Sequence, residues 1–148
     1  MSLENTISEA IKTAMREKDK VALDSLRAVK AQILLLQTEA RGAEVTAEQE
    51  IAILQRMIKQ RKDSYEQFTA QGRTDLAEVE EAQSKVIEKF LPKQLSVEEL
   101  ESEIKKIISE TGAETIKDLG KVMGVASKAL AGKSDGKSIS EMVKKLLA

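Results

Sequence analysis

The chain has 148 residues, 33% of them charged and 2% aromatic, with one proline, no cysteine and no histidine, and a net charge of −1. That balance excludes a disulfide framework, a thiol nucleophile, a Ser–His–Asp triad and a zinc site of the usual ligands, and it argues against a sheet protein. An all-α fold is expected. Leu3, Ile7, Ile11 and Met15 recur at four-residue spacing and predict a helix over residues 3–17. Asp19 is a candidate N-cap for a second helix, whose heptad seam runs Ala22, Leu26, Val29, Ile33, Leu36, Ala40 and stops at Arg41-Gly42. Thr46 and Gln49 form a capping box that opens a third helix, with Ala47, Ile51, Leu54, Ile58, Arg61, Tyr65 and Phe68 on its seam and Gly72 at its end. A fourth helix follows Thr74 and Asp75, carries Leu76, Val79, Val86, Ile87 and Phe90, and stops before Pro92.

Pro92 marks the boundary between a long-helix unit, residues 1–91, and a small three-helix tail, residues 93–148. Ser96 and Glu99 form a second capping box, with Leu95 and Leu100 as its hydrophobic staple. Leu100, Ile104, Ile107 and Ile108 form that helix's apolar face, which closes at Gly112. Thr115 is read as the cap of a sixth helix reaching Gly132. Ser138 and Glu141 are read as a third capping box, opening a last helix with Ile139, Met142, Val143, Leu146 and Leu147 inside.

The first residues lack a basic region followed by an apolar core, and no apolar run is long enough to span a bilayer, so a cytoplasmic protein is expected. Charge is unevenly spread. Residues 1–91 carry 14 basic and 16 acidic groups, residues 93–114 carry 3 and 6, and residues 116–148 carry 7 lysines against 3 acids. The net of +4 in the last stretch suits phosphates, or simply a solvated face.

Two regions hold the candidate functional residues. Around Gly72, Arg61 and Arg73 lie near Asp63, Asp75 and Glu78, and this arrangement is read as a structural ion-pair corner between two antiparallel helices. In the tail, Gly120 and Gly124 share a helix face, Gly132 and Gly136 bracket a turn, and Lys121, Lys128, Lys133 and Lys137 surround them. Glycines let a backbone come close and free amides at a helix start hold phosphate, while ordinary helix packing explains the same residues equally well. No P-loop spacing, metal cluster or cofactor motif is present.

Three blocks then carry a family resemblance: Leu26-Arg27; Arg61-Lys62-Asp63-Ser64 through Gly72-Arg73, Asp75-Leu76-Ala77 and Glu80-Glu81 to Leu91-Pro92-Lys93-Gln94-Leu95; and Gly120-Lys121-Val122-Met123-Gly124 with Gly132 and Asp135-Gly136-Lys137. In this order they resemble the YqeY proteins of the GatB/YqeY superfamily. The resemblance implies a tail similar to the C-terminal one of the tRNA-contacting component of the tRNA amidotransferase, where it stands beside a much larger catalytic core. No such core fits in this chain. The expected function is therefore a non-catalytic tRNA- or RNA-binding module, with Lys121, Lys128, Lys133 and Lys137 and the amides near the four tail glycines as contacts. The alternative is an adaptor docking on a partner protein such as an amidotransferase. The third reading is a component of a carbon–nitrogen ligase with glutamine as amido donor. The expected partners are tRNA or another protein, with no membrane, metal or cofactor.

Overall fold

The computed structural model describes residues 2–148. The chain is all-α: among the described residues there are seven α-helices, one 3-10 turn and no strand. The helices are α1 (Leu3–Glu17), α2 (Lys20–Glu39), α3 (Ala47–Ala70), α4 (Thr74–Glu88), α5 (Val97–Thr111), α6 (Leu119–Ala129) and α7 (Gly136–Leu147), with the 3-10 turn Ile116–Asp118 before α6. The chain divides into two compact units, the first ending at Leu91 and the second running from Pro92 to Ala148.

In the first unit α2 packs on α1 and α4, and α3 packs chiefly on α4. Local signals place the helix starts. Asp19 accepts the amide of Ala22 at 3.0 Å, and Thr46 and Gln49 exchange both bonds of their capping box, at 2.9 and 3.2 Å. The α2 stop differs from its expected place. The helix ends at Glu39, and two successive residues, Arg41 and Gly42, take left-handed backbone angles of φ 51° and 89°. Arg41 therefore adopts a conformation that L side chains disfavour, and Gly42 adopts it without strain.

The core of this unit gathers Ile7, Leu26, Val29, Ile33, Leu54, Met57, Ile58 and Ile87. Met15, expected on the α1 seam, is 55% exposed, and Ala14 is buried in its place. Four residues advance a helix by about 400°, so a strict four-residue pattern walks off the core within three steps, whereas Ile7 and Ala14, seven apart, stay nearly aligned. Tyr65 and Val79 are likewise exposed rather than inside. Tyr65 follows the apolar stripe of α3 to a position left partly open, whereas Val79 points away from the α4 face that buries Ala77 and Ser84.

The second unit has its own core of Leu100, Ile104, Ile107, Val122, Ala126, Leu130, Ile139, Met142, Val143 and Leu147. Ser96 and Glu99 exchange capping bonds at 3.3 and 3.1 Å, and Gly112 closes α5 at φ 71°. Two local readings are corrected here. Thr115 caps the 3-10 turn rather than α6 directly; its hydroxyl accepts the Lys117 amide while Asp118 accepts the amides of Glu114 and Thr115. The last helix starts at Gly136, not after Ser138: Asp135 is its N-cap and accepts the Ser138 amide at 2.7 Å. A carboxylate is the stronger partner for a helix start, because it meets the positive end of the helix dipole as well as the free amide.

Two capping carboxylates link the stability of the second unit to pH. The backbone amide of Ser96 holds the Glu99 carboxyl below its ordinary value of 4.5, and the amides of Glu114 and Thr115 hold Asp118 below 3.8. A carboxyl whose pKa falls on folding stabilises the fold above its unfolded pKa and loses that contribution as pH drops through the folded value. The melting temperature should therefore fall as pH drops below about 4.5, and the double variant Glu99→Gln, Asp118→Asn should show a shallower fall, since it keeps both acceptors and removes both charges. Thermal melts at stepped pH provide the check; parallel curves for the two proteins would place the acid sensitivity elsewhere.

Candidate nucleic-acid interface

The outward face of α6 lies opposite the buried Val122 and Ala126, and Gly120, Gly124 and Lys128 run along it with Lys121 beside them. Gly120 and Gly124 are exposed, and a Cβ built on either would meet nothing within 4 Å. Helix packing within this chain therefore does not account for either glycine. Lys121, Lys128, Lys133 and Lys137 are all exposed, and none is in an ion pair among the described residues. The same holds for Lys117, Lys144 and Lys145. Of the three acids in this stretch, Asp118 and Asp135 are turned to backbone amides, leaving Glu141.

The other two tail glycines have different surroundings. Gly132 is buried, in a left-handed conformation at φ 77°, and its carbonyl accepts a hydrogen bond from Gln94 Nε2 at 2.6 Å. Gln94 Nε2 also donates to Pro92 O, and the Leu95 amide donates to Lys133 O at 2.9 Å. The segment Pro92–Leu95 is thereby fastened to the turn before α7. Gly132 is a turn residue of this clasp. The clasp is not legible in the sequence because its halves lie 38 residues apart; the available signal is a polar Gln94 amid the apolar start of the unit. Gly136 sits in the first turn of α7, where Asp135 already fills the place a phosphate oxygen would take on the Ser138 amide. The four lysines and the Gly120–Gly124 face remain as the open electropositive features of this unit.

The corner near Gly72 is a hairpin of α3 and α4, closed by Gly72 at φ 72° and by the Arg73 amide on Phe68 O at 2.8 Å. Arg73 grips Asp75 with two bonds of 3.2 Å, both side chains exposed; the hydrogen bond raises the arginine pKa and lowers that of the aspartate. Arg61 does not join this pair. Its Nε donates to Gln83 Oε1 and its Nη1 to Met57 O, both at 3.3 Å, so its partners are neutral oxygens rather than the expected carboxylates. Asp63 and Glu78 are exposed and unpaired among the described residues. Other pairs tie the hairpin and its surface, Lys62 to Glu88 at 3.5 Å and Lys85 to Glu81 at 3.4 Å. Among the described residues no group of three or more His, Cys, Asp or Glu is placed to hold a metal ion, and no helix is long and apolar enough to cross a membrane.

One family model, described as Yqey-like protein, matches the sequence over residues 4–147, which runs from the first turn of α1 to the end of α7. The chain belongs to the Yqey-like family. Among its curated relatives is "Altered inheritance of mitochondria protein 41, mitochondrial" of Pyrenophora tritici-repentis, 30% identical over 140 residues, covering 93% of this chain and 76% of that protein. The protein of the same name in Meyerozyma guilliermondii is 36% identical over 92 residues, 59% of this chain and 45% of its own. That in Clavispora lusitaniae is 31% identical over 90 residues, 61% of this chain and 52% of its own. The Yqey-like chain thus aligns with about half the length of the latter two. These names overturn the cytoplasmic expectation, since all three relatives are named as mitochondrial proteins. Residue composition near the start of a chain reports on one export route and leaves other compartments open.

Proposed function

We propose that this Yqey-like protein is a non-catalytic RNA-binding module, with tRNA as its ligand and the outward face of α6 as its contact surface. The mitochondrion is the compartment to which the relatives' names point. The observation that supports the reading is Gly124. It lies in mid-helix, exposed, with open space where a side chain would stand. Glycine there costs about 1 kcal/mol of helix stability relative to alanine. Close approach of a sugar–phosphate backbone to the helix, with the exposed Lys121 and Lys128 on its phosphates, gives that residue a use.

Gly124→Ala tests this directly. It should raise the stability of the second unit by up to about 1 kcal/mol while weakening tRNA binding, because the added methyl holds the backbone off. Urea unfolding and a filter-binding titration on the same preparation give both numbers. A variant that is more stable and binds tRNA as well as the native protein removes the close-approach argument. One observation favours the adaptor reading instead: Val125, beside Gly124, is 41% exposed, and an apolar side chain suits a protein surface better than a phosphate. Failure of the native protein to bind tRNA at low salt moves that reading ahead.

A further inference from the structure

We infer that the cleft between α3 and α4 is a binding site for a small, singly charged carboxylate, with Arg61 as the group that holds it. The cleft is half open to solvent and has a volume of about 310 Å³, at the lower end of small-molecule sites. Its lining carries three cations and two carboxylates. Two of the cations are already balanced, Lys62 by Glu88 at 3.5 Å and Lys85 by Glu81 at 3.4 Å. Arg61 is the surplus charge. A guanidinium offers five N–H donors, and Arg61 places one on Gln83 and one on Met57, both neutral oxygens. The rest of the fork has no partner among the described residues.

Two hydroxyl-bearing residues, Ser84 and Tyr65, line the same cleft. Ser84 is 4% exposed, and its hydroxyl makes no hydrogen bond among the described residues. Ser25, the other buried serine, returns its hydroxyl to Val21 O at 2.7 Å, whereas Ser84 makes no such bond. No fully enclosed side-chain polar atom lacks a partner among the described residues, so the Ser84 oxygen opens onto the cleft. Polar groups this deep are ordinarily satisfied, and a hydroxyl left unbonded at the wall of a cavity points to a partner that enters the cavity. Tyr65 also lines the cleft, as an exposed side chain whose hydroxyl has no partner among the described residues and whose ring is available to an apolar body. A fork of N–H donors with two hydroxyls suits a carboxylate. With Lys62 and Lys85 balanced by Glu88 and Glu81, the lining carries one net positive charge, which matches a singly charged ligand. This inference rests on the first unit alone and is independent of the RNA reading.

The test is a ¹H–¹⁵N NMR titration of the full chain with sodium benzoate, and separately with inorganic phosphate, at matched ionic strength. Benzoate should give saturable shifts confined to the amides of residues 61–65 and 81–88. Arg61→Lys should weaken binding by about tenfold, because a point charge replaces the fork. Tyr65→Phe and Ser84→Ala each remove a single oxygen, so they keep the fold while weakening binding by about two- to tenfold. Shifts that do not saturate, tighter binding of phosphate than of benzoate, or native affinity in both Tyr65→Phe and Ser84→Ala would each overturn the assignment.

Discussion

Ile104→Ala is expected to unfold the Pro92–Ala148 unit while the preceding unit stays folded. Ile104 is fully buried on α5, in one cluster with Val122, Ala126 and Val143. Truncating such a side chain costs about 2–5 kcal/mol, as lost transfer energy plus the cavity left behind. A core built from fewer than about 80 residues rarely supplies more than about 3–5 kcal/mol, and this unit has neither disulfide nor metal cluster among its described residues to add to it. One substitution therefore removes most of its margin. The matching change in the first unit, Ile87→Ala, also empties a fully buried position, but four helices share that core, and the unit should survive with a lowered melting temperature. Amide spectra of the two variants separate the outcomes. Loss of dispersed signals from residues 97–147 alone is the expected result for Ile104→Ala. A single cooperative loss across the whole chain would mean that the two units fold as one.

Replacing Lys121, Lys128, Lys133 and Lys137 with glutamine is expected to flatten the salt dependence of tRNA binding. Each phosphate neutralised by a lysine releases condensed counterions, and on duplex RNA or DNA this steepens the log–log salt slope by nearly one unit. Four contacts correspond to an affinity that falls by about a hundredfold between about 50 and 200 mM salt. The four-glutamine protein should lose that dependence along with most of its low-salt affinity. Glutamine has nearly the helix propensity of lysine, and all four positions are exposed and free of ion pairs among the described residues, so helicity by circular dichroism should be unchanged. The remaining lysines, Lys117, Lys144 and Lys145, set the residual slope. Equal slopes for the two proteins would move the RNA contact away from these four lysines.

Legibility differs from residue to residue. The capping boxes at Thr46 and Ser96 are readable because each depends on four consecutive residues whose side chains and amides meet within one turn. The start of α7 lies three positions before its expected place for a related reason. Asp135 and Ser138 are both good caps by type, and only the backbone angles place Asp135 outside the helix and Ser138 within it. Seam residues near the middle of each helix, such as Val29, Leu54 and Ile104, are core, as their spacing predicts. Met15 and Val79 are not, because their spacing carries them off the buried face of their helices, and Tyr65 is not, because a helical pattern gives a direction and says nothing about how far the neighbouring helix extends to cover it. The lysines and glycines of the tail are legible as candidates. Their sorting into an exposed face with Gly120 and Gly124 and a buried clasp with Gly132 is not.

By itself the sequence determined what is local and what is cumulative: an all-α chain, most helix limits, two apolar cores split near Pro92, a lysine surplus in the last third and membership of the Yqey-like family. Helix propensity, capping and hydrophobic periodicity all act over a few residues, so they can be read in order along the chain. Only the tertiary structure decided that Arg61 meets Gln83 rather than a carboxylate, that Gln94 clasps Gly132, and that Ser84 faces a cleft without a hydrogen-bond partner among the described residues. Those outcomes join residues 22 and 38 positions apart or depend on what a distant helix leaves uncovered. Which of several chemically equivalent partners a side chain finds is set by how the helices pack, and no spacing along the chain carries that information.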